Sequence, residues 1–464
     1  MKKFALKSGS MLKLPVKASA WYIASGVIGK AFGFLSTLLF TRLLSPDGYG
    51  ELAVYMSWLG IGECCVSAFL SGSVIYRGLS DFKKQKQEFI STASGTFLAF
   101  SLIVCTLLFA FYAFGGFPVT LFPFLVLQIL FDGIITIGLL CKKHAYSYKA
   151  VAFTNLIESA VSIFISFLLI RYAKLGFVGR VIGFLLPSLF ISLFFLIRSG
   201  VPQIKRKYLF YLLPRVLPLV PGAIVLAVTA QVDKLIINGT MGTASAAKYS
   251  VIHSVGACGL FLVGSLFSAL SPWLTRKLSA AKFAEISEIA RTALTAFSAI
   301  SLFIIAAAPL AVGFLAPREY AEALPALAPI SLSIIPYFAS NLNTAHLIFL
   351  YRSGLASKTS IISGIIGIAS NFLLIPLLGY FGAGLSVLIS STASFLCSNC
   401  YLKRLGAYEI LPKSLVSSRL ALASVLAVGF YLSYGAPYII PLILIFPACS
   451  LLTSALSAKQ IIFE

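Results

Sequence analysis

Residues 20–55 read "AWYIASGVIGKAFGFLSTLLFTRLLSPDGYGELAVY". Positions 20–40 are apolar or small apart from Lys30. About 20 such residues, rising 1.5 Å each as a helix, cross the hydrocarbon core of a bilayer. The run closes on Arg42, and "SPDG" follows at 45–48. Pro46 fixes φ and Asp47-Gly48 complete a bend, so the stretch predicts a tight turn, after which a second apolar run opens near residue 51. Span, turn, span is the grammar of the whole chain.

The 464 residues are 59% hydrophobic and only 11% charged, with a mean hydropathy of +0.98. Soluble domains carry roughly 25% charged residues, so an ordinary globular enzyme is excluded. Apolar runs recur near 20–40, 51–76, 90–114, 118–140, 151–171, 179–197, 214–237, 248–273, 288–313, 325–350, 358–378, 382–402, 415–434 and 437–456. The expected fold class is an all-α polytopic membrane protein of about 14 transmembrane helices. Every break between runs is shorter than twenty residues, which leaves no room for a soluble catalytic domain. No catalytic residues and no metal site are expected. "IGK" at 28–30 is no P-loop, because Ala24 and Ala31 stand where Gly and Ser/Thr belong.

Net charge +22 would suggest nucleic acid in a soluble protein, but the distribution of charge argues otherwise. With the N-terminus inside, inner segments hold 28 Lys/Arg and outer segments, helix ends included, hold 7. The positive-inside rule then places both termini in the cytoplasm, with no nucleic-acid partner. The basic start (Lys2, Lys3, Lys7, Lys13, Lys17) precedes a run that lacks a cleavage site, so residues 1–19 are read as a cytoplasmic segment along the inner headgroups. The eight cysteines fall mainly inside apolar runs, and Cys397-x-x-Cys400 has no second pair, so they read as packed thiols.

Two stretches share an order of features: "LFTRLLSPDGYGELAVY" after the first run and "AQVDKLIINGTMGTASAAKYSV" after the seventh. Each passes from an apolar run through a cation (Arg42, Lys234) and a Gly-containing turn to an aromatic that opens the next helix. With the basic N-terminus and the fourteen runs, "RLLSPDGYG" and "DKLIINGTMG…AAKYS" resemble the Wzx-like polysaccharide (O-antigen/capsule) flippases. These form part of the multidrug/oligosaccharidyl-lipid/polysaccharide exporter superfamily. Ala247-Lys248-Tyr249 departs from the Gly-Tyr-Tyr common in that family.

The resemblance implies two pseudosymmetric six-helix bundles, 20–213 and 214–402, plus two additional helices and a short tail in 403–464. It implies alternating access around a central cavity in the bacterial cytoplasmic (inner) membrane. The implied cargo is an undecaprenyl-pyrophosphate-linked oligosaccharide moved from the inner to the outer leaflet, with membrane lipids and polysaccharide polymerase machinery as partners. No cofactor is implied beyond coupling to H+ or Na+. A cation-coupled multidrug exporter of the same superfamily is the alternative.

Ionisable groups within a membrane are costly and mark function by default. Of the fourteen acids, Glu63, Asp132, Glu158 and Asp233 fall inside spans. Lys30 and Glu63 share a depth in neighbouring antiparallel helices, each about 15–20 Å from its membrane surface by rise per residue. Lys30 is expected to offer a cation to the pyrophosphate while Glu63 holds it in the empty site; a self-neutralising pair is the plain alternative. Asp132 and Glu158 also share a depth, and two carboxylates close together would bind a proton or sodium ion. His253 adds a titratable group in span 8. Arg42, Asp233 and Lys234 are expected at the outer rim, either gating through an Arg42–Asp233 pair or snorkelling to the interface. Arg215 stands at the cytoplasmic mouth of span 7 as a first contact for an incoming diphosphate. Pro218 and Pro221 should bend that span. His346 and Arg352 are expected to be interfacial.

Overall fold

The structure is a computed structural model and describes residues 26, 28–67, 72–113, 121–145, 147–199, 202–217 and 220–433. Residues 1–19, most of the run before Ile28, and the expected span 437–456 lie outside the described residues. Every regular element among the described residues is helical. Nine of these helices are long and apolar enough to cross a membrane. The chain is an all-α polytopic membrane protein.

The opening stretch forms helix α1 (28–43) and helix α2 (Pro46–Ser67). The predicted "SPDG" turn is instead the start of α2. The Gly48 amide donates to Ser45 Oγ at 3.1 Å, so Ser45 caps the helix through its side chain. Pro46 takes the first helical position, where a missing N–H costs nothing, and Asp47 sits in the first turn against the positive end of the dipole. The reversal therefore rests on Leu44 and Ser45, and the membrane run starts five residues earlier than hydropathy suggested. The expected span 51–76 ends as α2 at Ser67, and a separate helix α3 (Gly72–Asp81) follows.

The chain divides into two compact units, Met1–Gln231 and Val232–Glu464. In the first, α4 (Lys86–Ala113), α5 (Phe122–His144), α6 (Tyr148–Arg171) and α7 (Gly176–Ser199) follow α3. Helix α5 packs on α2, α4 and α7, and α6 packs along α7. A short helix α8 (Arg206–Val216) then docks on α3 and α4. Helix α9 (Val220–Met241) is separate from α8. Pro218 itself is outside the described residues, whereas Pro221 is the second residue of α9 and disrupts no bond there.

In the second unit α10 (Thr243–Ser279) packs on α11 (Phe283–Leu315). The expected span 325–350 is built from a 3-10 segment at Arg318–Ala326, then α12 (Leu327–Leu332) and α13 (Ile334–Phe349). Helix α14 (Ser353–Arg404) contains both expected spans 358–378 and 382–402, and α15 (Lys413–Ser433) lies against α11. The two halves of α14 meet at Gly379, whose φ of 57° and ψ of −131° are non-helical. Only glycine adopts such a backbone readily. Beyond it the two halves approach so closely that a Cβ at Gly382 would overlap the Leu374 carbonyl. Backbone cannot swing aside as a side chain can. Gly382→Ala should therefore lower stability by about 3 kcal/mol, the upper part of the range for overpacking, measured as a drop in thermal midpoint in detergent. An unchanged midpoint would show that the hairpin opens freely.

Large apolar side chains cover the outside of both units. Phe164, Phe190, Leu310, Leu377 and Val425 are each 63–71% exposed. Exposed patches of that kind suit hydrocarbon and not water. Serine and threonine hydroxyls within the spans return to carbonyls one turn back, as Ser57 does to Ala53 and Ser101 to Phe97, both at 2.8 Å. With no water in the hydrocarbon core, that local bond satisfies the hydroxyl.

Candidate functional site

The first unit holds a half-open cavity of about 450 Å³ lined by residues of α1, α2, α5, α6 and α7. Helical spacing supplies its walls. Glu158, Ser162 and Ser166 recur every fourth residue on α6, and Arg180, Phe184 and Ser188 do so on α7. Residues four apart lie on one helix face, so each trio forms a stripe. Gly29, Gly33 and Ser36 make the matching stripe on α1.

At one end stand three acids. Asp132 on α5 accepts from Gln128 Nε2 at 2.7 Å, and the same nitrogen reaches Ser188 Oγ at 3.0 Å. Ser188 Oγ donates onward to Glu158 Oε1 at 3.2 Å. Glu63 lines the same cavity from α2. Ionised carboxylates accept only, so a proton or another cation taken up by this cluster would relieve it. The Asp132 Oδ1 and Gln128 Oε1 atoms are buried without a hydrogen-bond partner among the described residues. Buried oxygens of this kind are rare and call for a ligand or ion.

At the other end is Arg180, only 4% exposed. Its guanidinium lies between two rings, 4.3 Å from the Phe40 centroid and 3.8 Å from that of Phe184. One terminal nitrogen donates to Ser166 Oγ at 2.9 Å and to the Ser162 carbonyl and hydroxyl at 3.3 Å. The other donates to Ser36 Oγ at 2.8 Å. The close approach of α6 and α7 permits this, because a Cβ at Gly183 would overlap Ser166 Oγ. No carboxylate stands within salt-bridge distance of Arg180 among the described residues. Arg180 and Ser188 are eight residues apart on α7, so the cationic and acidic ends are separated by about 12 Å along the helix.

Of the expected site residues, Glu63, Asp132 and Glu158 come together here. Lys30 does not join them. It is exposed on α1, off the face that Gly29, Gly33 and Ser36 present to the cavity. Arg42 is exposed at the end of α1 and donates to the Leu38 carbonyl at 3.0 Å. The Arg215 side chain lies outside the described residues. His346, expected at the interface, is instead buried in α13, and its Nδ1 has no hydrogen-bond partner among the described residues.

Asp233, Lys234 and His253 form a second cluster, within the second unit. Asp233 is 2% exposed and accepts from Tyr249 OH at 2.7 Å and from the Lys234 amide at 2.8 Å. Lys234 Nζ and His253 Nε2 each lie 3.9 Å from its carboxylate. Tyr249 is the aromatic that opens α10 in the second quoted motif, so the motif ties α10 to α9 through a buried acid. Tyr249→Phe deletes one donor from a buried carboxylate and should cost about 1–3 kcal/mol of stability, measured by thermal unfolding. A neutral result would mean that another donor replaces the phenol.

Arg180 was the residue that hydropathy concealed. It opens the sixth span, where it counts among the seven outer cations. The every-fourth-residue stripes of Ser, Arg and Glu on α6 and α7 were the available signal.

A helical membrane protein with a half-open cavity among its helices, cationic at one end and acidic at the other, has the architecture of a carrier. The chain belongs to the polysaccharide biosynthesis protein family, whose profile matches residues 39–325. Among solved structures, the lipid II flippase MurJ in an inward closed conformation is similar, with a TM-score of 0.72 at 14% identity, over 96% of this chain and 100% of that one. An inward-facing multidrug resistance MATE family transporter of the MOP superfamily matches at 0.63 and 13% identity, over 82% of this chain and 95% of that one. A mutant of the Vibrio cholerae MATE transporter VcmN matches at 0.56 and 16% identity, over 87% and 98%. At such identities the likeness is one of fold. A search of curated proteins finds no match.

Proposed function

We propose that this protein flips an undecaprenyl-pyrophosphate-linked oligosaccharide from the inner to the outer leaflet of the bacterial cytoplasmic membrane by ion-coupled alternating access. The family supports the polysaccharide context. One observation carries the reading: a buried arginine with serine and phenyl neighbours, at the opposite end of one cavity from three carboxylates. A buried charge without a counterion is costly, and an anionic ligand relieves that cost. A diphosphate matches the guanidinium fork in charge and geometry. Lys30, Arg42, Arg215 and Lys234 then serve as contacts on the path to and from the cavity. Glu63, Asp132 and Glu158 take up the coupling H+ or Na+, while Asp233 and His253 act in gating within the second unit.

The test uses the purified protein in proteoliposomes with a fluorescent undecaprenyl-diphosphate sugar and an imposed ion gradient. Gradient-dependent appearance of the label in the opposite leaflet is expected. Efflux of cationic drugs with no movement of the lipid-linked sugar would favour the multidrug exporter and overturn the flippase.

A further inference from the structure

The 11-residue helix α8 runs about 16 Å, half the thickness of a hydrocarbon core, so it cannot cross the membrane. Its faces differ sharply. Tyr208, Leu212 and Val216, spaced by four, are at most 1% exposed and dock on α3 and α4. Phe82 sits between Tyr208 and Tyr211, with ring centroids at 4.9 and 5.1 Å, both edge-on. The nearby acids are used inside this knot: Asp81 accepts from Tyr211 OH at 2.8 Å, and Glu88 pairs with Lys205 at 3.0 Å. Lys207 Nζ donates to Gln85 Oε1 at 3.1 Å.

The opposite face interleaves apolar and basic groups. Phe210 on that face is 69% exposed, and the residues flanking the helix, Leu217 and Ile204, are 59% and 54% exposed. Arg206 is exposed on the same face, and Lys84 and Lys86 are exposed on the turn and helix start that α8 packs against. None of these last three cations makes a salt bridge within the knot among the described residues. A short helix with one docked face, large exposed apolar side chains and a basic rim has the composition of an element lying in a headgroup layer. Cations near such a surface attract anionic lipid, at about 1 kcal/mol each. We propose that the exposed face of α8, with Lys84, Lys86 and Arg206, is a docking surface for anionic phospholipid headgroups of the leaflet on the basic-loop side. It tethers the segment between α7 and α9 to the lipid surface.

The full-length protein carrying Phe210→Trp, reconstituted without any undecaprenyl lipid, tests this independently of the flippase reading. The vesicles are either phosphatidylcholine alone or phosphatidylcholine with phosphatidylglycerol, each with lipids brominated high on the chain, and the parent protein sets the background of native tryptophans. Quenching of the added indole should be several-fold stronger in the anionic vesicles. It should fall toward the neutral level in 1 M salt, where the Debye length drops to about 3 Å. It should fall equally in the triple variant Lys84→Gln, Lys86→Gln, Arg206→Gln, which spares the Glu88 and Gln85 contacts of the knot. Equal quenching in both vesicles would assign the face to plain bilayer contact, and absence of quenching in both would leave it to water or a protein partner. Either result overturns the proposal, as does a triple variant that behaves like its parent.

Discussion

Arg180→Gln is expected to reduce transport of the lipid-linked sugar about ten- to a hundredfold while leaving the folded yield intact. Hydrogen bonds from a charged donor are worth about 1.5–3 kcal/mol, and each 1.4 kcal/mol is a factor of ten. Removing a buried cation that has no carboxylate partner strands no opposite charge, so the usual penalty for breaking a buried ion pair does not apply. Glutamine retains a donor for Ser36 or Ser166, the neighbours Arg180 holds at 2.8 and 2.9 Å. Arg180→Lys should recover only part of the activity. An ammonium on a flexible stem can neither fill the slot between Phe40 and Phe184 nor present two parallel donors. Folded yield from size exclusion and initial rates across a substrate titration are the measurements. Parent-like rates in the glutamine variant would make Arg180 a strut between α1, α6 and α7, and the anionic end of the cargo would have to bind elsewhere.

Asp132→Asn is expected to abolish accumulation against a gradient, by tenfold or more, while downhill exchange of the cargo continues. Asparagine is nearly isosteric, and its carbonyl can still accept the Gln128 bond that now measures 2.7 Å. What it cannot do is hold a cation within the acidic cluster of the cavity, because it carries no charge and binds no proton near neutrality. Glu158→Gln should have a smaller effect, since among the described residues Glu158 is joined to this cluster through Ser188 at 3.2 Å. Proteoliposomes with imposed proton or sodium gradients, compared with gradient-free exchange, separate the two behaviours. If Asp132→Asn still accumulates cargo as the parent does, the coupling ion binds outside this cavity. Taken together, the two variants divide the cavity by role. One should lose the cargo and the other its dependence on the gradient.

Much of this architecture was written in the hydropathy of the chain. The long apolar runs within the described residues became helices, the break between spans 358–378 and 382–402 falls at the non-helical Gly379, and the acids at 132 and 158 met in one site as their common depth suggested. "SPDG" was read as a turn and is a helix start, because serine followed by proline satisfies a cap as well as a bend. Position along the membrane normal follows from counting residues at 1.5 Å each, and that is local information.

Direction around the helix axis is not local. Lys30 and Glu63 were paired by depth, yet Lys30 lies off the cavity face of α1 while Arg180, counted as an outer cation, points into the serines of α1 and α6. By itself the sequence determined the helical membrane class and the order of the apolar segments along the chain. Only the tertiary structure decided which of their charges meet. A hydropathy sum is blind to rotation, whereas the rotation of each helix is set by which small residues let neighbours approach, as Gly183 does beside Ser166.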